Sequence, residues 1–301
     1  MAVIQTGNHP KALWPGVYSW FGAKYAEHGK EYEQLFDMKS SKKHYEELVQ
    51  QTGFGLAPVK PEGSSTMYDQ HSQGYVARGT NVAYSLGFIV TREELADNLY
   101  SEVSMRRAGS LAFSMAQTRE NVGANVYNRV TSGSYVGGDS VALGSTAHPS
   151  LAGNQSNILA TAADLSEASL EDLAIQIMNA VDPKGLKISL TPQCLVVPTA
   201  LVYDAERILK SQLRADSANN DVNALRTLGT IPKVVVNHYL TDSDQWFIRT
   251  NAPDGLCWFD REAVQFTKDT DFDTDNAKAK GYMRFIPFWG DWRGLYSSAG
   301  A

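Results

Sequence analysis

Four aspartates stand at alternate positions near the C-terminal end of the chain, and their spacing resembles the start of a metal site. They are Asp269, Asp271, Asp273 and Asp275. Alternating carboxylates open the loops that bind Ca²⁺, but such loops continue with a glycine and a bidentate glutamate. Here Thr274 stands where the glycine is needed and Lys280 where the glutamate is needed. The spacing therefore favours a solvated acidic turn, with metal binding as the alternative.

Two other places hold residues that could take part in catalysis. Residues 133–137 read Gly-Ser-Tyr-Val-Gly, which differs from the nucleophile motif G-x-S-x-G and lacks a flanking apolar strand. His148 forms no paired motif with another histidine, so a structural hydrogen bond is its simplest role. The chain also lacks the glycine-rich motifs that bind nucleotides. We therefore predict no catalytic residue, no cofactor, no metal site and no enzymatic activity.

The composition is that of a large folded chain without a specialised charge pattern. Its 301 residues are 43% hydrophobic, enough for one large domain or two modest ones. The net charge of -6 predicts neither a duplex-binding groove nor a polybasic membrane anchor. The chain has no apolar run of membrane-spanning length and no recognisable signal peptide, so we expect synthesis in the cytosol. Cys194 and Cys257 are too few for a disulfide framework.

A proline-free stretch, residues 91–128, predicts a very long helix. Thr91 and Glu94 form a capping-box signature, in which each side chain accepts a hydrogen bond from the other residue's backbone N–H. Apolar and small side chains then recur near the helical period. They are Leu95, Leu99, Val103, Ala108, Leu111, Ala112, Met115, Ala116 and Val122. At about 1.5 Å per residue the helix would be roughly 55 Å long, so part of it should pack outside its own core.

Two segments before this helix have apolar side chains but no adequate core of their own. Residues 14–25 contain an aromatic cluster, and residues 27–50 have the composition of a short charged helix. Residues 56–90 alternate like a two-stranded β ribbon, which is marginally stable alone. Large apolar groups are costly to leave in water. We therefore expect the arm and the ribbon to dock on their own chain or on a neighbour.

Residues 163–268 have the pattern of a compact α/β unit. Ser169 and Asp172 are placed to cap a helix with an apolar face, and the run 194–197 predicts a buried strand between prolines. Further elements are predicted as a helix at 201–209 and as strands at 231–239, 245–249 and 256–259. The apolar stretch 279–289 should return to the long helix. The α/β unit would then be an insertion between two parts of a second domain.

The order of these parts resembles the major capsid protein of tailed phages (Caudoviricetes), which has the Hong Kong 97 fold, and in particular the Mu-type major head subunit group. Five segments carry the resemblance: 61–63 (PEG), 86–94 (LGFIVTREE), 145–149 (STAHP), 163–170 (ADLSEASL) and 195–198 (LVVP). Each is weak alone and none is a catalytic signature. Their order and spacing together span most of the chain.

The resemblance implies an α+β fold of five parts. They are an N-terminal arm (1–52), an extended β-hairpin loop (53–90), a peripheral domain with the spine helix (91–162), an inserted α/β axial domain (163–268) and the return strands of the peripheral domain (269–301). It also implies that aromatic side chains of the arm and ribbon lie at subunit interfaces. These are Trp14, Tyr18, Trp20, Phe21, Tyr68, Tyr75 and Tyr84.

The implied function is self-assembly, as pentamers and hexamers, into an icosahedral shell that encloses double-stranded DNA without sequence-specific binding. The implied location is the virion, with the host cytoplasm as the place of assembly. Because no charged helical prodomain precedes the arm, a separate scaffolding protein is expected as a partner, alongside a portal and a decoration protein. The alternatives are another phage structural component, such as a tail or decoration protein, and a metal-dependent hydrolase that uses the aspartates at 269–275.

Overall fold

The computed structural model describes residues 15–96, 105–214, 221–271 and 276–300. The helices are α1 (Pro15–Glu27), α2 (Tyr32–Leu35), α3 (Arg92–Ala96), α4 (Met105–Asn128), α5 (Glu167–Met178), α6 (Val202–Lys210) and α7 (Ala224–Leu228). The strands are β1 (Asp37–Ser40), β2 (Tyr45–Gln51), β3 (Gln73–Thr80), β4 (Val82–Val90), β5 (Pro192–Pro198), β6 (Val234–Asn237), β7 (Trp246–Thr250), β8 (Leu256–Thr270), β9 (Ala277–Trp289) and β10 (Leu295–Ser298). Among the described helices, none combines the length and apolarity that a membrane crossing requires.

The first sheet has the strand order β1-β8-β9-β4 and packs one face against α4. Burial alternates along most of β9, as expected of a strand with one face on a core. Trp258 of β8 stacks on Phe285 of β9 with ring centroids 4.6 Å apart. Met115 of α4 lies directly over Gly281. The predicted return of residues 279–289 to the long helix is confirmed.

The predicted long helix begins at Thr91 as expected. The Thr91 hydroxyl accepts a hydrogen bond from the Glu94 N–H at 3.3 Å. The Glu94 carboxylate pairs with the Arg107 guanidinium of α4 at 2.9 Å, where the capping box predicted a bond back to Thr91. The predicted apolar stripe faces the core from Ala108 to Met115. Residues 97–104 lie outside the described ranges, so the continuity of α3 and α4 stays a prediction.

The second sheet has the strand order β10-β7-β5-β6, with α5 and α6 packed on it. The run 194–197 lies in β5 and is buried, as predicted. The cap of α5 differs from the prediction, because Ser166 is the N-cap residue. Its hydroxyl accepts from the Ser169 N–H at 3.2 Å, and the Ser169 hydroxyl accepts from the Ser166 N–H at 2.9 Å. This reciprocal pair satisfies two N–H groups that a cap at Ser169 would leave open.

The charged helix predicted at residues 27–50 is wrong. The chain forms only the four-residue α2 there, followed by β1 and β2. Alternate residues of β2 are partly buried, and Leu48 packs against Phe288 and its neighbours. Across the ribbon, Glu47 pairs with Arg78 at 2.6 Å. Glu47 therefore lies on the solvent-facing side of a strand, and the strand's period of two prevailed over helix propensity.

The ribbon consists of β2 and β3, with residues 52–72 as its loop, so it begins before the predicted range of 53–90. β4 follows β3 after a single residue and pairs with β9 along its whole length. β3 passes close to β9 near this junction, because a Cβ atom on Gly79 would lie 2.3 Å from the Phe288 ring. Glycine is therefore required at this position of β3.

Two strands belong to sheets other than the predicted ones. β8, from the segment predicted as axial, pairs with β9 in the first sheet. β10, predicted as a peripheral return strand, pairs with β7 in the second sheet. A strand's own sequence does not specify its pairing partner, so it could not indicate which sheet these two strands join.

Candidate functional site

In the described part of the acidic turn at residues 269–275, an aspartate is paired with a lysine rather than grouped with other metal ligands. The Asp271 carboxylate accepts from the Lys278 ammonium at 2.5 Å. Asp273 and Asp275 lie outside the described ranges. Across the part of the chain that the structure describes, no three histidine, cysteine, aspartate or glutamate side chains are grouped as ligands of a metal ion would be.

His148 is fully buried, and its contacts are those of a structural residue. Its Nδ1 atom lies 2.6 Å from the Asp139 carboxylate, and its Nε2 atom lies 3.1 Å from Asn157 Oδ1. The ring stacks on Trp292 with centroids 4.3 Å apart. The Asn157 amide donates in turn to backbone carbonyls, including that of Leu143 at 2.6 Å. His148 therefore joins the loop after α4 to the C-terminal strand region.

Ser134, the serine of the 133–137 motif, is exposed to solvent.

The aromatic residues of the arm divide into docked and exposed side chains. Phe21 is buried and stacks on Phe266 of the first sheet with centroids 4.8 Å apart. Tyr18 and Trp20 are exposed. Trp14 lies outside the described ranges. α1 is therefore anchored on its own subunit through Phe21, while Tyr18 and Trp20 are available to a neighbour.

The three interface tyrosines predicted in the ribbon lie in three different surroundings. Tyr68 is in the ribbon loop and almost fully exposed. Tyr75 lies in β3 close to the ribbon loop, where it borders Gly138 of the loop after α4. Tyr84 is half-buried and stacks on Phe285 with centroids 4.9 Å apart. The structure does not bring these three residues together.

The ribbon loop carries the largest cluster of exposed apolar side chains in a single described segment. Its five members are 60% to 93% exposed: Phe54, Leu56, Val59, Met67 and Tyr68. Only Tyr68 was among the residues predicted from sequence. The missed signal was the low charge of residues 52–72, which contain only Lys60, Glu62 and Asp69 as ionised groups. Exposed apolar clusters of this kind mark surfaces that bind another chain.

Asp69 holds one end of this loop against the α/β unit. Its carboxylate accepts from the Gly55 N–H and from the Lys184 ammonium, each at 2.7 Å. The Gly55 hydrogen bond, followed by that of Lys184, lowers the pKa of Asp69 to about 2. The loop is thus positioned by polar contacts, and its apolar side chains remain in solvent.

Arg119 of α4 is buried between aromatic rings. It pairs with Asp260 of β8. The guanidinium carbon lies 5.0 Å from the Tyr32 ring, 5.3 Å from the Trp258 ring and 5.2 Å from the Phe285 ring. Such cation–π contacts stabilise a desolvated cation. Arg119 therefore ties α2, α4 and the first sheet into one core.

Glu120, the next residue of α4, fixes the backbone of the arm. Its two carboxylate oxygens accept from the N–H groups of Glu31 and Tyr32, each at 3.0 Å. Burial raises the pKa of Glu120 to about 7, and these two hydrogen bonds offset only part of that rise. The Glu31 carboxylate continues the connection to His238 Nδ1 at 2.5 Å. The start of α2 is therefore held by both α4 and the α/β unit.

The raised pKa of Glu120 predicts a pH-dependent stability. Folding raises this pKa from 4.5 to about 7, so the protonated carboxyl is the form that the fold favours. Its contribution is fully present below about pH 4.5 and is lost as the pH rises through about 7, a decline of about 3 kcal/mol at most. Glu120→Gln should remove this decline, as measured by urea unfolding across the same pH range. Glu33→Gln, at an exposed position of α2, should retain it, and a decline unchanged in Glu120→Gln would contradict the assignment.

A comparison with protein families decides between the functional classes left open by the sequence. A model of the phage capsid protein family matches residues 80–298. The chain belongs to the phage capsid protein family. The matched range of this capsid protein includes β4, α4 and both four-stranded sheets apart from β1. Its role is therefore structural, and neither a tail or decoration protein nor a metal-dependent hydrolase is favoured.

Solved structures show the same fold as this capsid protein. A structure from Mycobacterium phage Adephagia is 14% identical, with a TM-score of 0.52, and the match covers 100% of this chain and 99% of that chain. The capsid of a native GTA particle is 12% identical, with a TM-score of 0.54 and 91% of each chain covered. The capsid of Myoviridae phage XM1 is 11% identical, with a TM-score of 0.51, covering 91% of this chain and 92% of that chain.

These likenesses confirm the predicted α+β capsid fold of the Hong Kong 97 type at the level of overall architecture. Membership of the Mu-type group is not tested by them and stays a prediction. A search of curated proteins found no match.

Proposed function

We propose that this capsid protein is the major head subunit of a tailed phage. Copies of it join as pentamers and hexamers and close an icosahedral shell around packaged double-stranded DNA. The observation that carries the proposal is the ribbon loop, whose large apolar side chains lie outside the core of their own subunit. In a folded protein of this family, such a surface is best explained by a neighbouring copy that covers it.

Each part of the fold has a role in such a shell. The ribbon, β2 and β3 with its loop, is the extended loop given to a neighbour. The first sheet with α4 is the peripheral domain, and the second sheet with its helices is the axial domain, which meets its copies around five-fold and six-fold axes. We assign β8 to the peripheral and β10 to the axial domain because of the sheets in which they pair. The predicted boundaries at 53–90, 163–268 and 269–301 change accordingly.

The exposed aromatic residues are the better candidates for subunit contacts. Tyr18, Trp20 and Tyr68 keep this role in the proposal because no core of their own chain covers them. Phe21 already has a place in the core of its own chain. Trp14 stays a prediction from the resemblance.

Closed rings explain how moderate contacts give a stable shell. Identical subunits avoid open filaments only when their rotation closes, as five-fold and six-fold rings do. Each subunit then shares several contacts, whose effects multiply because they form within one assembly. An acidic chain of net charge -6 can enclose DNA without binding it tightly. The proposed partners are a scaffolding protein, a portal and a decoration protein, and the proposed locations are the host cytoplasm during assembly and then the virion.

Negative-stain electron microscopy of the full-length chain tests the proposal, with the chain expressed alone and together with a scaffolding protein. Closed icosahedral shells of uniform diameter are the expected result. Tubes would indicate a tail component, and monomers under both conditions would contradict the proposal. A Ca²⁺-dependent rise in thermal stability that disappears in Asp271→Asn would favour the hydrolase instead.

A further inference from the structure

β4 is an edge strand with an unusual composition. In the described structure it pairs only with β9, so the backbone groups on its other side lack a strand partner there. None of its nine residues is charged, and none is proline. Proteins normally protect a free edge with charges, prolines or bulges, because an unpaired strand adds further strands. The other edge of the same sheet is the short β1, which contains Asp37 and Lys39.

An uncovered apolar strip runs along the core-facing side of this edge. In the β4–β9 register Val82, Tyr84 and Leu86 stand opposite Phe285, Met283 and Gly281, which are buried against α4. Val82 and Leu86 are nevertheless exposed, because α4 does not extend over the edge of the sheet. A groove of about 370 Å³ lies between α4 and this edge, lined by Tyr84, Val122, Val126, Arg129, Tyr135 and Trp289. Unpaired backbone and an apolar floor therefore occur together.

The same chain offers an extended segment with the matching property. Residues 53–60 of the ribbon loop belong to no helix or strand. Among the described residues, the backbone N–H groups and carbonyls of residues 54–60 form no backbone hydrogen bond. Leu56 and Val59 are among the most exposed apolar side chains of the loop. The segment from Phe54 to Val59 is also free of charge, so its pairing with β4 would bury no ionised group.

This segment cannot reach the β4 edge of its own subunit. β3 runs straight into β4 through Asn81, so the loop lies at the far end of the ribbon, about 27 Å from the start of β4 at about 3.4 Å per residue. The Asp69–Lys184 ion pair at 2.7 Å also holds the loop beside its own α/β unit. The segment that pairs with β4 must therefore come from a second copy.

We propose that residues 54–59 of one subunit add as a strand to the β4 edge of a neighbouring subunit. This proposal rests on the proposed function and names the surface that receives the ribbon loop. Pro58 has no N–H, so its backbone must face away from β4. The Gly55 N–H already donates to the Asp69 carboxylate, so strand geometry leaves the Gly55 carbonyl and the backbone groups of Ala57 and Val59 to face β4. Strand geometry also puts Phe54, Leu56 and Pro58 on one face of the added strand.

Side-chain size determines which face that is. The larger side chains, Phe54 and Leu56, lie over the apolar strip and the groove beside α4. Gly55 and Ala57 lie on the opposite face, where β4 presents Ala83, Ser85 and Gly87. Phe54 and Leu56 thus fill the uncovered strip, and Gly55 and Ala57 lie beside the small residues of β4.

Two substitutions on the same strand form a matched test. Leu86 is 51% exposed on the strip, and Ile89 is 56% exposed on the opposite face. Leu86→Glu should lower the fraction of chain in oligomers about tenfold or more, because a charge would be buried without a partner. Ile89→Glu should leave that fraction within about twofold. Equal effects of the two changes would overturn the proposal, and circular dichroism checks that both variants are folded.

Disulfide formation gives an independent readout. Leu56→Cys combined with Tyr84→Cys or Leu86→Cys should give disulfide-linked dimers and ladders on non-reducing gels, whereas Leu56→Cys with Ile89→Cys should not. The two native cysteines are buried and should remain silent. Oligomers are separated by size before the gel, so the result does not require closed shells. Shells without the cross-link, or a cross-link within monomers, would overturn this inference alone; cross-linked oligomers that never close would support it and contradict the shell.

Discussion

Replacing the five exposed apolar residues of the ribbon loop with serine is expected to abolish shell formation and to leave the subunit folded. The five are Phe54, Leu56, Val59, Met67 and Tyr68. Burial of each against a partner stabilises the contact by about 1.5 to 3 kcal/mol, and every subunit of a closed shell repeats that contact. In the isolated subunit the same side chains are mostly in water, so their loss costs little stability.

Sedimentation and electron microscopy measure the shell yield, and circular dichroism measures the midpoint of thermal unfolding. The control is the double change Ser65→Ala and Thr66→Ala in the same loop, which removes two exposed hydroxyls and one methyl group and should assemble normally. Normal shells from the five-serine variant would show that the loop is not an assembly surface. A large fall in its unfolding midpoint would show that the loop belongs to the core.

Asp260→Ala is expected to destabilise the subunit by about 3 to 5 kcal/mol, because it leaves the Arg119 guanidinium buried without its counter-ion. The three aromatic rings around Arg119 favour a cation but accept no hydrogen bonds comparable to those of a carboxylate. The Arg119 side chain is only 5% exposed, so it stays largely desolvated when its partner is removed. Urea unfolding at neutral pH measures the effect.

Asp271→Ala is the matched control for this substitution. Both aspartate side chains are 29% exposed and pair with a basic side chain, but the Lys278 side chain is 47% exposed where Arg119 is buried. Removal of an exposed ion pair costs about 1 kcal/mol or less. Equal losses in the two variants would mean that burial of the cation does not govern the cost. A loss below about 1 kcal/mol in Asp260→Ala would mean the same.

Elements with local signals were predicted well. The helix start at Thr91 depends on a hydrogen bond three residues away, and the strand at 194–197 depends on a short apolar run between prolines. Both signals are local in the sequence, although β5 also pairs with the distant strands β6 and β7. The predicted helix at 27–50 failed for the opposite reason, because Leu48 obtains its burial from Phe288, far along the chain.

The predicted interface residues show the same limit. Phe21 and Tyr18 lie in one aromatic cluster of the sequence, yet Phe21 is buried against Phe266 and Tyr18 is exposed. Phe54 and Leu56 were missed because a short apolar run in a glycine- and proline-rich segment has no secondary-structure period to reveal it. Composition identified aromatic residues, but it could not distinguish those that pack inside a subunit from those left for a neighbour.

Local residue patterns were enough to identify the family resemblance, the capped start of the long helix, the buried strand of the α/β unit and the lack of a recognisable catalytic motif. The folded chain was needed to establish which sheet β8 and β10 join, where the ribbon begins, and that β4 leaves an uncharged edge beside an open groove. Hydrophobic burial is non-directional, so it specifies that a side chain should leave water but not which surface it should meet. That choice depends on strand pairing and packing between residues far apart in the chain, which no local pattern contains.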